Sequence, residues 1–130
     1  MRAAHSPTGS MRFRFKEFRV YQVAKEFCQF CREVVKGDIK KRDAELTSQI
    51  ERALHSIVLN IAEGSAAASD VEFARFLGIS MRSAYEIVAA FDLAASYGHI
   101  DEASNQEIEH KALDLVKQLA SFRNTLKAKA

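Results

Sequence analysis

From residue 15 onward, apolar side chains return every three or four positions, the period of a helix with one buried face. Four such segments follow one another, and no stretch alternates as a strand would. The first covers residues 15–36, with Val20, Ala24, Phe27, Cys28, Cys31, Val34 and Val35 on one side. Val23 and Phe30 widen that face to nearly half the helix, more than packing on a single neighbour needs. Gly37 stands where a left-handed C-cap belongs. The second segment, residues 44–64, carries Leu46, Ile50, Ala53, Leu54, Ile57, Val58 and Ile61. The third, residues 70–96, aligns Phe73, Leu77, Ser80, Ala84, Ile87, Phe91 and Ala94 over roughly 40 Å. Ser69 and Glu72 have the spacing of a capping box before it, and Gly98 a C-cap position after it. Asp101 caps a fourth segment whose Ile108, Ala112, Leu115, Leu119, Phe122 and Leu126 follow a 4-3-4-3-4 seam. Residues 38–43 read as a charged linker and residues 127–130 as a fraying end. Short connections between four helices predict an all-α fold, an antiparallel up-down-up-down four-helix bundle over residues 13–127. Residues 1–12, rich in Ser, Pro, Thr and Gly, read as a disordered leader.

Composition fits that picture. Of 130 residues, 48% are apolar and 28% charged, with one proline. A chain of this length buries roughly 70% of its unfolded surface, enough for a core without disulfides or metal. No uncharged apolar run reaches the length of a membrane span, and no secretory signal core is present. Two cysteines without disulfide spacing point to a reducing, cytoplasmic setting.

The small net charge of +2 conceals an asymmetry. Residues 11–42 hold ten Lys/Arg against four acids, and residues 43–130 hold eight against thirteen. Such a chain can turn one cationic surface toward a polyanion. The first helix carries a wholly basic stripe, Lys25, Arg32 and Lys36, which the linker extends through Lys40, Lys41 and Arg42. Arg12 and Arg14 precede it. On the second helix Arg52, Ser56, Asn60 and Glu63 share one arc, and on the third Arg75, Arg82 and Glu86 do so. A hairpin turning near Ala67 would set Asn60 level with Arg75 and Arg52 level with Arg82. That ladder reads either as helix–helix polar contacts, with Asn60, Glu63 and Glu86 structural, or as guanidiniums kept for phosphates. Ile79, Leu93 and Tyr97, lying off the core seam, join Val23 and Phe30 as a surplus apolar surface that predicts a homo-oligomer contact.

Catalytic chemistry finds little footing. Cys28 and Cys31 lie mid-helix on an apolar face, away from a helix N-terminus that would stabilise a thiolate. They have no second pair to complete a zinc site. Glu107 and His110 have di-iron spacing on one helix only, where two are needed. There is no nucleophile elbow and no phosphate-cradling glycine loop. The expectation is no catalysis, no cofactor and no metal.

Several strings together resemble a known family. QIERALHSIVLNIAEG at residues 49–64 is similar to the signature of the four helix bundle protein family, also called the ribosomal RNA intervening-sequence protein family. EFARFLGISMRSAYE at residues 72–86, FKEFRVYQVA at residues 15–24 and ASYGHI at residues 95–100 resemble its other blocks. The resemblance implies a bacterial cytosolic homopentamer around an electropositive channel, without enzymatic activity. Some relatives are encoded in intervening sequences of large-subunit ribosomal RNA genes; others are retroelement accessory proteins that bind nucleic acid and a reverse transcriptase. This chain departs from the family pattern in three places. Glu51-Arg52 replaces paired arginines, Val58-Leu59 lacks a proline, and Arg82-Ser83 replaces Gly-Ser. The leading expectation is a non-enzymatic oligomer binding RNA or DNA backbone, with little aromatic interleaving on these faces to stack bases. The alternative is a scaffold that docks a partner protein without touching nucleic acid.

Overall fold

The computed structural model describes residues 13–129, and all regular structure among them is helical. A 3-10 turn at Arg14–Glu17 leads into α1 (Arg19–Val35), a single-turn α2 (Asp38–Arg42), α3 (Ala44–Ser65), α4 (Asp70–Ser96) and α5 (Glu102–Lys129). The four long helices share one core, a bundle-like arrangement in which α4 packs between α3 and α5, and α1 packs against α3 and α5. Every residue of the third segment's seam is buried. So are Leu46, Ile50, Ala53, Leu54, Ile57 and Ile61 on α3 and Ile108, Ala112, Leu115, Leu119 and Leu126 on α5.

Three sequence expectations change at the front of the chain. The first helix starts at Arg19 and not at residue 15, because Phe18 is extended (φ −72°, ψ 131°). That conformation sends its ring into a cluster with Phe73 and Phe122, centroids 6.2 and 5.4 Å away. Phe73 and Phe122 meet edge-on at 5.2 Å, so one aromatic knot ties the start of α1, the first turn of α4 and the last turns of α5. Gly37 is not left-handed (φ −74°); it opens α2 where a linker was expected. Ile39, one apolar residue in a charged run, is fully buried and pins that turn to the core. At the C-terminus the helix continues to Lys129. Residues 1–12 and Ala130 lie outside the described residues.

Side chains cap the N-termini of α3, α4 and α5. Asp43 accepts from the amide of Leu46 (2.9 Å), Ser69 from that of Glu72 (3.2 Å) and Asp101 from that of Ser104 (2.8 Å). Ser69 and Glu72 form only half of a capping box, because the Glu72 carboxylate is engaged by Arg75. Past α4, Gly98 takes φ +78° and bonds Ala95, while the amide of His99 bonds Ala94 at 2.9 Å, a Schellman closure. Arg42 and Asp43 reach this same turn. The Arg42 guanidinium donates to the Gly98 carbonyl at 3.4 Å, and His99 Nε2 lies 3.6 Å from the Asp43 carboxylate.

Between α3 and α4 the chain packs closely. Gly64 is buried, and a Cβ there would lie 2.8 Å from both Phe73 and Phe76. Ser80 donates to the Ile57 carbonyl at 2.6 Å and Ser83 to Ser56 at 2.7 Å. These contacts shift the register by about one turn from the expected pairing, so Asn60 is not level with Arg75, nor Arg52 with Arg82. Asn60 instead turns back to the Ser56 carbonyl and hydroxyl (2.8 and 3.0 Å). The Glu63 and Glu86 side chains are exposed and join no ion pair or hydrogen bond among the described residues.

The wide apolar face of α1 has its cause inside the chain. Val23 and Phe30 are half-buried against the core, and Lys111 of α5 lies 4.8 Å over the Phe30 ring. A helix contacted on two sides needs a face of that width, so these two residues supply no argument for a partner. Ile79 is half-buried, while Leu93 (42%) and Tyr97 (56%) are exposed. Tyr85 (67%) and Leu113 (52%), not anticipated from the sequence, flank an apolar cleft between α4 and α5 with Val88 and Val116.

Candidate nucleic-acid interface

The cations divide by what holds them. Arg14 is structural: its guanidinium donates to the Ser65 carbonyl at 3.4 Å, at the C-terminus of α3, and lies 5.6 Å over the Phe18 ring. Arg42 is spent on Gly98 and on Asp38 at 4.0 Å. Arg32 meets Glu51 at 3.7 Å, Lys36 meets Glu33 at 2.8 Å, and Arg75 holds Glu72 through two contacts of 2.7 and 3.3 Å. All these pairs are solvent-exposed, where an ion pair contributes only about 0–1 kcal/mol and yields readily to a better anion. Lys25 rests 5.1 Å over the Tyr21 ring. Lys40, Lys41, Arg52 and Arg82 make no ion pair among the described residues. Arg12 lies outside them.

Two cationic zones result. Lys25, Arg32 and His55 edge a cleft of about 320 Å³ between α1 and α3, with Lys40 and Lys41 on the one-turn helix beyond Val35. Glu51 is the acid that partly neutralises Arg32. On the other side, α4 and α5 enclose a cleft of about 540 Å³. Arg75 and Arg82 line it, together with Arg123 and Lys127 of α5. Sequence reasoning passed over the last two. Their signal was a four-residue spacing that puts both on one face of the last helical turns, where cations suit the helix dipole. Arg123 is half-buried, and its Nε is a buried donor without a partner.

Thiol and metal chemistry have no comparable geometry. Cys31 is buried and Cys28 half-buried, both free. Burial pushes the Cys28 thiol up to about 12, against a smaller opposing effect of Arg32, and raises Cys31 as well. Cys28 Sγ donates to the Leu54 carbonyl at 3.3 Å, so it behaves as a packed thiol. Among the described residues no three His, Cys, Asp or Glu side chains gather as metal ligands would. No described helix is long and apolar enough to cross a membrane.

Residues 16–121 match the protein family described as 23S rRNA-intervening sequence protein, which spans all four long helices. The chain belongs to that family. Its fold is similar to that of a protein of unknown function from the S23 ribosomal protein family of Bacteroides thetaiotaomicron, solved at 1.70 Å. The TM-score is 0.72 at 23% identity, covering 80% of this chain and 97% of that one. Comparison with curated proteins finds no match.

Proposed function

We propose that the chain is a non-enzymatic, cytoplasmic homo-oligomer that binds nucleic acid through its basic surface, largely independently of sequence. An antiparallel up-down-up-down bundle is the protomer in this reading. The aromatic knot at one end and the contacts of Arg42 and Asp43 with the 97–101 turn at the other are what such a run requires. The observation that carries the function is the set of exposed cations that join no ion pair among the described residues. Lys40, Lys41, Arg52 and Arg82 remain available to phosphates in a family tied to ribosomal RNA. The family resemblance supports five copies, which would pool these charges.

Filter binding of a single-stranded RNA across a salt series tests this. Four neutralised phosphates per chain give a log K against log salt slope near about −3. Absence of binding at low salt rejects it. A second reading, a scaffold that docks a partner protein, draws on the apolar cleft beside Tyr85 and Leu113. It predicts self-assembly without any salt-dependent affinity for polynucleotides.

A further inference from the structure

We infer that the cleft between α4 and α5 is a site for a phosphate group, anchored by Arg123 and Arg82. Arg75, Arg82, Arg123 and Lys127 border the cleft, with Glu72 as its acid. Glu72 is already satisfied by Arg75, which leaves Arg82, Arg123 and Lys127 without an ion pair among the described residues. The Arg123 guanidinium lies over Gly78, where an added Cβ would be 3.8 Å from Nη1. That is an ordinary van der Waals separation, so Gly78 marks where the guanidinium sits without being required for it.

The decisive feature is the Arg123 side chain. Its Nε is buried and has no hydrogen-bond partner among the described residues. Burial of Nε holds the side chain in place, so the guanidinium lines the cleft with little rotamer freedom left to lose on binding an anion. Two planar guanidinium forks and one ammonium suit a tetrahedral ligand of charge −2, or successive phosphodiesters, better than a single carboxylate. The ligand chemistry is thus a phosphate, carried by a polynucleotide backbone or by a free phosphate. The site deepens the nucleic-acid reading in the first case and stands without it in the second.

The test uses the full chain, inorganic phosphate and a fluorescent oligouridylate, with Arg82→Ala, Arg123→Gln and, as control, Lys117→Ala, an exposed α5 lysine outside both cationic zones. Arg82 is exposed, so its variant keeps the experiment valid even if Arg123→Gln fails to fold. Phosphate should raise the melting temperature by a few degrees over chloride at matched ionic strength in the wild type and the lysine variant, but not in the arginine variants. Oligouridylate affinity should fall about five- to tenfold in each arginine variant, with the salt slope shallower by about one. A phosphate response without oligouridylate binding supports the site as one for free phosphate and rejects the nucleic-acid reading. Oligouridylate binding unchanged in both arginine variants and no phosphate response overturns the site while leaving that reading intact. No response to either probe overturns both.

Discussion

Two glycines of similar appearance in the sequence have opposite physical settings. Gly64 sits under Phe73 and Phe76, and a methyl there would lie 2.8 Å from each. Gly64→Ala should therefore destabilise by about 1–2 kcal/mol in urea unfolding, overpacking outweighing the better helix propensity of alanine. Gly78 meets only Arg123, at an ordinary 3.8 Å, so Gly78→Ala should be neutral or stabilise by up to about 1 kcal/mol in the same assay. The thiols give a pH-dependent expectation. With its folded value pushed up to about 12, Cys28 is protonated at neutral pH. It should react with a disulfide reagent at pH 8 at least about tenfold more slowly than an unfolded thiol, the lost thiolate being only partly offset by the greater nucleophilicity of a more basic thiol. The sign follows from the raised value. The thiol's contribution to stability is complete below its ordinary value of 9.0 and is lost as pH rises from there toward 12.

At the scale of the helices, apolar period and caps were readable from the chain because both depend on residues within one turn. The third segment is observed with the bounds its pattern predicted, between Ser69 and the Gly98 closure. Ser69→Ala should cost about 0.5–1 kcal/mol, read as a lowered thermal midpoint. Asp101 offers a sharper test. Hydrogen bonds from Ser104 hold its carboxyl below the usual 3.8. Its capping contribution is therefore present above that pH and is lost as pH falls through the lowered value. Asp101→Asn should keep the cap and remove this acid-sensitive component from melts recorded below pH 3.8. What the pattern missed was α2, whose single apolar residue, Ile39, has no partner within a turn to make a period. The late start of α1 was hidden for a related reason: Phe18 is extended to reach Phe73 and Phe122, residues distant in sequence.

For the whole molecule, the exposed Leu93 and Tyr97 remain the sequence-derived candidates for self-association, while Val23 and Phe30 are accounted for within the chain. Light scattering on the proposed oligomer should give a multiple of 14.6 kDa, and Leu93→Asp with Tyr97→Asp should reduce it to the monomer mass. The reverse result, a 14.6 kDa species in the wild type, would remove the assembly from the proposal. The candidate interface was only half legible. The sequence located the excess of cations near the front of the chain, but Arg14 and Arg42 are taken up by helix-end carbonyls, and Arg32 by Glu51. Arg123 was invisible as a site residue because the cations it joins, Arg75 and Arg82 of α4, are far away in sequence. Read alone, the chain thus determined its helices, its family and most of its core, since hydrophobic period and capping act over a few residues. Which cations stay free, and that α4 and α5 leave a charged cleft between them, depended on the register of helices packed side by side. That register is set by contacts such as Ser80 with Ile57 and Gly64 beneath Phe73, which no local pattern encodes.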